Sequence, residues 1–271
     1  MTLIGRLRQS GVRETASFSL RLGMVAVRRP REAADQLAMQ LALTRSPKAA
    51  MPIAVTRDWR RVMHERIGGR WPCTEDAEFR RLWAAILAEL PAVSSAVDHD
   101  ADPTLGEVVW CLCRHLLPRV VVETGVSRGL TSRVILEALA RNDEGHLWSI
   151  DLPPLRPPWR NLVGTAVPPT MRERWTYVRG SSRRRLPEAA RRIGLIDLFV
   201  HDSLHTPDNL RFELATVWPH LRAGAGVVID DAEECHAVEV LREFSPLPPL
   251  YASEERKPTS VGLTVAGAGQ R

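Results

Sequence analysis

The stretch Val-Val-Val-Glu-Thr-Gly-Val-Ser-Arg-Gly, residues 120–129, decides how this chain folds. It begins with three β-branched residues, which favour a buried strand, and continues into a turn that contains two glycines. The apolar spacing of residues 130–141 then predicts a helix. Glycines between a strand and a helix let the backbone approach a ligand closely, and the first N–H groups of the helix are free to bind it. The stretch therefore predicts a strand–turn–helix unit with a ligand-binding turn.

The same alternation of strand and helix patterns continues along the chain. Strand patterns lie at residues 146–151, 175–178, 196–200 and 227–229, with shorter ones near 250 and at 260–265. Helical patterns occupy residues 183–193, 207–221 and 233–244. Strands that alternate with helices form right-handed crossovers and a sheet that is covered on both faces. We therefore predict an α/β fold with a doubly wound, mostly parallel sheet of seven strands.

Residues 1–102 precede this α/β part and carry short helical patterns interrupted by proline and glycine. The clearest pattern is amphipathic and spans residues 74–90, and a second helix is predicted to begin at Pro103. We therefore divide the chain into a helical N-terminal extension, residues 1–102, and an α/β domain, residues 103–271. The extension is expected to serve in oligomerisation or as a cap over the substrate.

The glycine turn and the acid that follows it indicate a nucleotide-like ligand. The dinucleotide fingerprint G-x-G-x-x-G does not fit, because Ser127 takes the place of its second glycine and Leu130 that of its third. An acid two residues before a glycine fits instead, as Glu123 and Gly125. Asp151 ends the next strand pattern, where a carboxylate can accept hydrogen bonds from both hydroxyls of a ribose.

This combination resembles the class I methyltransferases that use S-adenosylmethionine, over about residues 103–266. In that family an acid followed by a glycine-rich turn forms the first motif, and a ribose-binding acid forms the second. The resemblance implies that S-adenosylmethionine is the cofactor and that the turn after the third strand contacts its adenine. The positions implied to bind the cofactor are Glu123, Thr124, Gly125, Ser127, Gly129, Asp151, Gly180, Ser181 and Asp202.

Carboxylates follow the fourth and fifth strand patterns. Asp202 follows the fourth, and Asp230 and Asp231 follow the fifth. In a doubly wound sheet the carboxyl ends of the strands meet at one edge, where ligands bind. Three carboxylates at such short range repel one another unless they are protonated or share a cation. Because a hard divalent ion such as Mg²⁺ prefers oxygen ligands, the sequence predicts a magnesium site beside the cofactor.

These carboxylates resemble those of the metal-dependent O-methyltransferases, the group that includes the catechol and macrolide-sugar enzymes. The Asp-x-x-His run from Asp202 to His205 is especially similar to the macrolide-sugar type. The resemblance implies that Asp202, Asp230 and Asp231 bind magnesium. It also implies that His205 is the general base. Simpler interpretations stay open, since Asp231 with Glu234 matches a helix-capping pattern and His205 could cap a helix or face solvent.

The predicted function is methylation, by S-adenosylmethionine, of a hydroxyl group on a small molecule. The acceptor is expected to be a sugar, a polyketide or another natural product, and Mg²⁺ is expected to assist by lowering the pKa of the reacting hydroxyl. A non-catalytic protein that keeps this fold for assembly is an alternative, because a fold does not fix a function.

The positive charge of the chain raises a third possibility, an RNA or DNA methyltransferase. The 271 residues carry a formal charge of +5, and 35 of the 37 basic residues are arginines. Residues 1–31 hold +6 and residues 156–192 hold +8, which leaves −9 for the remainder. The second basic segment overlaps a proline-rich connection at residues 152–170, which is either a lid or a surface spacer. Because no aromatic platform for bases accompanies these arginines, we do not expect nucleic acid as the partner.

The remaining features concern compartment and assembly. The four cysteines, Cys73, Cys111, Cys113 and Cys235, form no Cys-x-x-Cys pair, so their spacing indicates no zinc site. So few cysteines are typical of a reduced, cytoplasmic protein. No run of about 18 apolar residues predicts a membrane span, and the basic N-terminus does not match a signal peptide. We expect a homo-oligomer in the cytoplasm.

Overall fold

Seven strands form one sheet in the order β3-β2-β1-β4-β5-β7-β6. The computed structural model describes residues 21–47, 50–90, 101–155 and 159–267. Its strands are β1 (Val120–Thr124), β2 (His146–Asp151), β3 (Trp175–Arg179), β4 (Ile196–His201), β5 (Leu221–Ile229), β6 (Leu250–Ser253) and β7 (Ser260–Val265). Strands β1 to β5 run parallel, whereas β7 runs antiparallel to both β5 and β6. The predicted seven-stranded, mostly parallel sheet is therefore confirmed.

Helices cover both faces of this sheet. They are α1 (residues 21–28), α2 (Pro30–Arg45), α3 (Trp59–Ile67), α4 (Asp76–Glu89), α5 (Pro103–Leu116), α6 (Leu130–Asn142), α7 (Trp159–Leu162), α8 (Ser182–Ile193), α9 (Pro207–Val217) and α10 (Ala237–Phe244). Helices α5 and α6 pack on one face, and α8, α9 and α10 pack on the other. None of the described helices is long and apolar enough to cross a membrane. Residues 1–20 of the basic arm and 156–158 of the proline-rich connection lie outside the described residues.

Three predicted boundaries around β5 differ from the structure. Helix α9 ends at Val217, earlier than its pattern predicts, because Pro219 cannot continue the helical hydrogen bonding. Strand β5 then begins earlier than its apolar pattern predicts, in a segment that is exposed to solvent. Helix α10 begins at Ala237 rather than at residue 233, after His236 with a φ of +48°. The residues just before Ala237 therefore form a loop at the carboxyl end of the sheet.

The N-terminal helices α3 and α4 pack against α5 and share its hydrophobic core. Trp59, Phe79 and Trp83 belong to the same buried cluster as the apolar residues of α5. Gly106 permits this close packing, because a Cβ at that position would lie 2.8 Å from the Trp83 ring. The N-terminal extension therefore rests on the same core as the first helix of the predicted α/β domain.

Arginines of the basic segment hold α2 against β3 and α8. Glu32 of α2 is buried and accepts hydrogen bonds from Arg179 at 2.8 and 3.1 Å. Arg160 lies 3.5 Å from the same carboxylate. Asp35, one turn further along α2, pairs with Arg184 at 2.5 Å. Some arginines of residues 156–192 therefore form ion pairs within the molecule that hold α2 in place, and we call these pairs the α2 dock.

The described part of the proline-rich connection contacts both α2 and the glycine turn. Gln36 of α2 donates a hydrogen bond to the carbonyl of Pro153 at 2.8 Å, and Leu155 packs in a small apolar cluster with the N-terminal helices. Further along, the N–H of Gly164 donates to the carbonyl of Ser127 at 2.9 Å. These contacts make the connection part of the wall around the glycine turn.

Replacing Glu32 by glutamine should loosen α2, because Arg179 and Arg160 would face a neutral amide. We expect the free energy of local opening to fall by roughly 2 kcal/mol, which corresponds to roughly 30-fold faster amide hydrogen exchange in α2. The matched control is Glu65→Gln, which removes an exposed pair with Arg61 in α3. Equal exchange rates in α2 for both variants would contradict the docking role of Glu32.

Candidate active site

The glycine turn is pressed against the end of β4. Gly125 has a φ of +86°, and a Cβ at this position would overlap the carbonyl oxygen of Asp202. The N–H of Asp202 in turn donates to the carbonyl of Thr124 at 2.8 Å, and the N–H of Gly125 donates to that of Ile150. Only glycine fits such a position, since it combines a left-handed conformation with a close backbone approach. The contact brings the predicted cofactor turn next to the predicted metal carboxylates.

One cavity of about 700 Å³ connects these elements. The predicted cofactor positions that line it are Gly125, Ser127, Asp151, Ser181 and Asp202. The predicted catalytic and metal positions His205, Asp230 and Asp231 line it as well. The structure therefore brings together the predicted base, all three predicted metal ligands and five of the predicted cofactor positions.

Four predicted cofactor positions, Glu123, Thr124, Gly129 and Gly180, are not among the residues that line this cavity. Glu123 is fully buried, and its Oε2 accepts hydrogen bonds from Ser132 and Ser149 at 2.6 Å each. Burial raises the pKa of Glu123 to about 8. These contacts suit a residue that fixes the turn to α6 and β2 rather than one that faces a ligand.

Asp151 stands where a ribose-binding carboxylate is expected, at the end of β2. Its Oδ1 accepts from the N–H of Val126 at 3.3 Å, and the Tyr177 hydroxyl lies 3.4 Å from its Oδ2. Burial raises the pKa of Asp151 to about 6. Hydrogen-bond donors such as ribose hydroxyls would favour the ionised carboxylate.

His205 is held between two of the predicted metal ligands. Its Nδ1 lies 2.9 Å from Oδ2 of Asp231, and its Nε2 lies 3.7 Å from Oδ1 of Asp202. Nε2 is buried and has no hydrogen-bond partner among the described residues. Burial opposes a charge on His205, but the contacts with Asp202 and Asp231 outweigh it and raise the pKa of His205 well above its ordinary value.

Lys257, which follows β6, lies among the carboxylates and was not predicted from the sequence. Its Nζ is 3.1 Å from Asp230, 3.3 Å from Asp231 and 3.4 Å from Glu254. Burial disfavours the charged ammonium, but these carboxylates outweigh burial and raise the pKa of Lys257. Part of the negative charge that suggested a metal is thus balanced by the chain itself. One sequence signal was available, because Lys257 is one of only two lysines in a chain with 35 arginines.

The helix-capping interpretation of Asp231 is not supported by the structure. Helix α10 begins at Ala237, with His236 before it and no side-chain cap. Asp231 itself has a φ of +46° and accepts a hydrogen bond from Thr259 at 2.8 Å. A non-glycine residue in this conformation is uncommon and is held here by contacts with its neighbours. Asp231 therefore serves the carboxylate cluster and not the next helix.

A second histidine, His201, lies behind the site in a fully buried network. Its Nδ1 is 2.7 Å from Glu213, and its Nε2 is 3.4 Å from the sulfur of Cys235. Thr124 donates to the same Glu213 carboxylate at 2.6 Å. Burial raises the pKa of Glu213, but His201 outweighs burial and lowers that pKa to about 2. This network connects the ends of β1 and β4 to α9. It thereby fixes the two strand ends that carry the site.

Substituting Gly125 by alanine should abolish tight cofactor binding. The left-handed conformation alone costs alanine roughly 1–2 kcal/mol, and the overlap with Asp202 forces the turn to move as well. We expect the affinity for S-adenosylhomocysteine, measured by calorimetry, to fall at least roughly tenfold. Gly224→Ala is the matched control, because Gly224 has a φ of +82° and open space around it. Similar affinities for the two variants would contradict the close-contact argument.

The chain is similar to known methyltransferases over part of its length. A family model described as a methyltransferase domain matches residues 122–232. Among solved structures, the chain is similar to a Klebsiella pneumoniae protein that its name assigns to the O-methyltransferases. The two share 17% identity and a TM-score of 0.50, and the similarity covers 78% of this chain and 96% of that chain. It is also similar to the methyltransferase PaMTH1 of Podospora anserina, solved with S-adenosylhomocysteine, with 12% identity, 81% and 100% covered, and a TM-score of 0.49. No curated protein matches the sequence.

At 17% identity, the similarity to the Klebsiella pneumoniae structure speaks for the fold alone. The family match covers β1 to β5 and includes the glycine turn, Asp151, Asp202 and both aspartates after β5. These segments supply most of the residues that line the cavity, and α2 supplies another wall. Residues 122–232 of this chain match a methyltransferase domain, and the sheet around them shares the fold of the Klebsiella pneumoniae structure.

Proposed function

We propose that this methyltransferase transfers the methyl group to a hydroxyl oxygen of a small molecule, with His205 as the general base. The observation that carries the proposal is the hydrogen-bonded pair of His205 and Asp231 in the cavity that also contains the glycine turn. A histidine held at one nitrogen by a carboxylate is well suited to take a proton from a hydroxyl with its other nitrogen. The deprotonated oxygen can then attack the methyl group of the bound cofactor in line.

Asp231 has a positioning role in this proposal. By accepting the hydrogen bond from Nδ1, it fixes the ring so that Nε2 is the atom that exchanges a proton. It also stabilises the imidazolium that forms when His205 takes the proton. Thr259 and Lys257 contact the carboxylate of Asp231 and hold it in place.

The donor set fits a divalent cation between Asp202 and Asp230. Ligand atoms of Asp202, His205 and Asp230 lie within 4.8 Å of one another. Oδ1 of Asp230 is buried and has no hydrogen-bond partner among the described residues. We therefore propose that Asp202 and Asp230 hold Mg²⁺. Asp231, the third predicted ligand, is instead hydrogen-bonded to His205 and Thr259. When bound, the ion would supply positive charge that lowers the pKa of the acceptor hydroxyl.

The size and walls of the cavity support a small acceptor. A volume of about 700 Å³ is typical of small-molecule sites. Helix α2 forms one wall with Ala38, Met39 and Leu43, which favours the cap role for the N-terminal extension. The arginines that suggested nucleic acid include Arg179 and Arg184, which are engaged with α2. We therefore prefer a sugar, polyketide or other natural-product hydroxyl as the acceptor.

A direct test incubates the full chain with S-adenosylmethionine, Mg²⁺ and a panel of hydroxyl-bearing small molecules. Formation of S-adenosylhomocysteine reports turnover, and mass spectrometry locates the new methyl group on oxygen. Methylation of an RNA or DNA substrate in place of these acceptors, or methylation at nitrogen, would contradict the proposal.

Replacing His205 by asparagine should lower kcat by roughly 10²–10⁴, the usual contribution of a general base. Affinity for S-adenosylhomocysteine should stay within about threefold of the wild type, because the cofactor turn is unchanged. His220→Gln is the control, since His220 bonds the carbonyl of Gly194 and does not line the cavity. A normal kcat in His205→Asn would exclude His205 as the base.

The pH dependence tests the role of Asp231. Because the neighbouring carboxylates raise the pKa of His205, kcat/KM should increase with pH through a value above the ordinary histidine pKa. Asp231→Asn removes one of these negative charges, so the pKa of His205 should fall. We expect the acidic limb of the pH profile to move to lower pH in this variant, together with a lower maximum rate. An unchanged acidic limb would contradict the pairing of the two side chains.

The magnesium proposal is tested with chelator and with Asp230→Asn. EDTA should abolish methyl transfer by the wild type, and added Mg²⁺ should restore it whereas added Zn²⁺ should not. Asp230→Asn should lower turnover by roughly 10²-fold or more and raise the Mg²⁺ concentration needed for activity. The control is Glu188→Gln, at an exposed residue of α8 that does not line the cavity. Full turnover in EDTA would mean that Lys257 and His205 supply the positive charge without a metal.

A further inference from the structure

Two histidines and two cysteines converge at a place outside the cofactor cavity. His64 lies on α3, Cys73 lies in the loop before α4, and Cys111 and His115 lie one turn apart on α5. One ligand atom from each of the four lies within 4.8 Å of every other. The site therefore joins two segments of the N-terminal extension to the first helix of the predicted α/β domain.

Two sulfur–nitrogen distances within this cluster are close to the edge of a metal tetrahedron. The sulfur of Cys73 is 3.3 Å from Nε2 of His115, and the sulfur of Cys111 is 3.3 Å from Nε2 of His64. Four-coordinate zinc, with Zn–S near 2.3 Å and Zn–N near 2.0–2.1 Å, places sulfur and nitrogen ligands about 3.5 Å apart. In the structure each histidine also offers the same nitrogen, Nε2, to the cluster.

The surroundings fix the histidines in this orientation. His64 is fully buried, and its Nδ1 has no hydrogen-bond partner among the described residues. Gly69 packs directly on that side of the ring, since a Cβ there would lie 2.8 Å from Nδ1. The rings of His64 and His115 lie edge to face, with centroids 4.2 Å apart. The packing therefore holds Nε2 of His64 against the thiol of Cys111, with the ligand atoms of Cys73 and His115 nearby.

We propose that His64, Cys73, Cys111 and His115 form a structural zinc site. Two thiolates and two imidazoles in tetrahedral spacing favour Zn²⁺ over Mg²⁺ or Ca²⁺, which prefer oxygen ligands. All four positions are occupied by protein side chains, as in a structural site, whereas a catalytic zinc keeps one position open. The site is also separate in composition from the carboxylates that line the cofactor cavity.

The position of the site defines what it stabilises. Helix α5 packs on β4, β5 and α6, and α3 contacts β6. A zinc ion bound to both helices would fasten the N-terminal extension to the sheet that carries the active site. Because metal binding free energy is available only in the folded state, loss of the ion should lower the thermal stability of the whole chain.

The cysteine spacing alone did not predict this site, because the cysteines form no Cys-x-x-Cys pair. The ligands instead come from three separate segments of the fold. Cys111 and His115 did carry one usable signal, since residues four apart on a helix lie on the same face and can bind one ion.

The test begins with the metal content of the full chain, purified without chelator and dialysed against metal-free buffer. We expect about one zinc per chain by mass spectrometry of the metals. Cys73→Ser and His115→Asn should each lose most of this zinc, and both change half-buried positions that the fold should tolerate. Replacing zinc by Co²⁺ should produce the absorption bands of tetrahedral cobalt with a thiolate-to-cobalt charge-transfer band.

Two kinds of control separate this site from other effects. Cys113→Ser and Cys235→Ser alter buried cysteines outside the cluster and should keep the zinc. Asp230→Asn alters the cofactor cavity and should keep it too. The wild type should lose several degrees in Tm when a strong zinc chelator is added, whereas Cys73→Ser should start from the lower Tm and not respond.

The proposal is overturned by any of three results. These are wild-type protein with negligible zinc and no spectral response to Co²⁺, full zinc content in both Cys73→Ser and His115→Asn, or a disulfide between Cys73 and Cys111 in the protein as purified. The last result would assign the two sulfurs to a redox pair in place of a metal.

Discussion

The close approach of Gly125 to the carbonyl of Asp202 is the constraint on which the site depends. It leaves no room for a side chain at residue 125, and the hydrogen bond between Asp202 and Thr124 fixes the same two segments. The cofactor turn after β1 and the first carboxylate after β4 are therefore positioned by one contact. Since β1 and β4 are neighbours in the sheet, a shift of either strand would separate the glycine turn from Asp202.

Arginine and lysine side chains bind carboxylates at different places in this protein, and the shapes of the two cationic groups explain the difference. Arginines bind carboxylates at the surface and at the α2 dock, where the planar guanidinium of Arg179 contacts Glu32 through two nitrogens. At the carboxylate cluster the cation is a lysine, Lys257. A compact ammonium can approach Asp230, Asp231 and Glu254 together, whereas a planar guanidinium binds one carboxylate through two parallel contacts, as Arg179 does. The net charge of the chain is therefore a poor guide to its partner.

The fold and the edge of the sheet that carries the site were predictable from sequence because they follow from local patterns. β-Branched runs followed by helical spacing predict strands that end at one edge, and Asp202, Asp230 and Asp231 directly follow two of those strands. Lys257 and the cluster around Cys73 were not predictable in this way. Each depends on contacts between segments that lie far apart in sequence. The position of α2 also depends on such contacts, between Glu32 or Asp35 and arginines more than 120 residues further along the chain.

Helix α5 connects these separate features. Asp102 caps its N-terminus by accepting from Thr104, and the same carboxylate accepts from the backbone of Glu255 and Arg256, next to Lys257. The other end of α5 carries Cys111 and His115. The helix therefore links the lysine in the carboxylate cluster to the proposed zinc site and to the N-terminal helices. Residues of α2 line one wall of the cavity. We therefore expect the choice of acceptor to depend on residues outside the matched methyltransferase domain, residues 122–232.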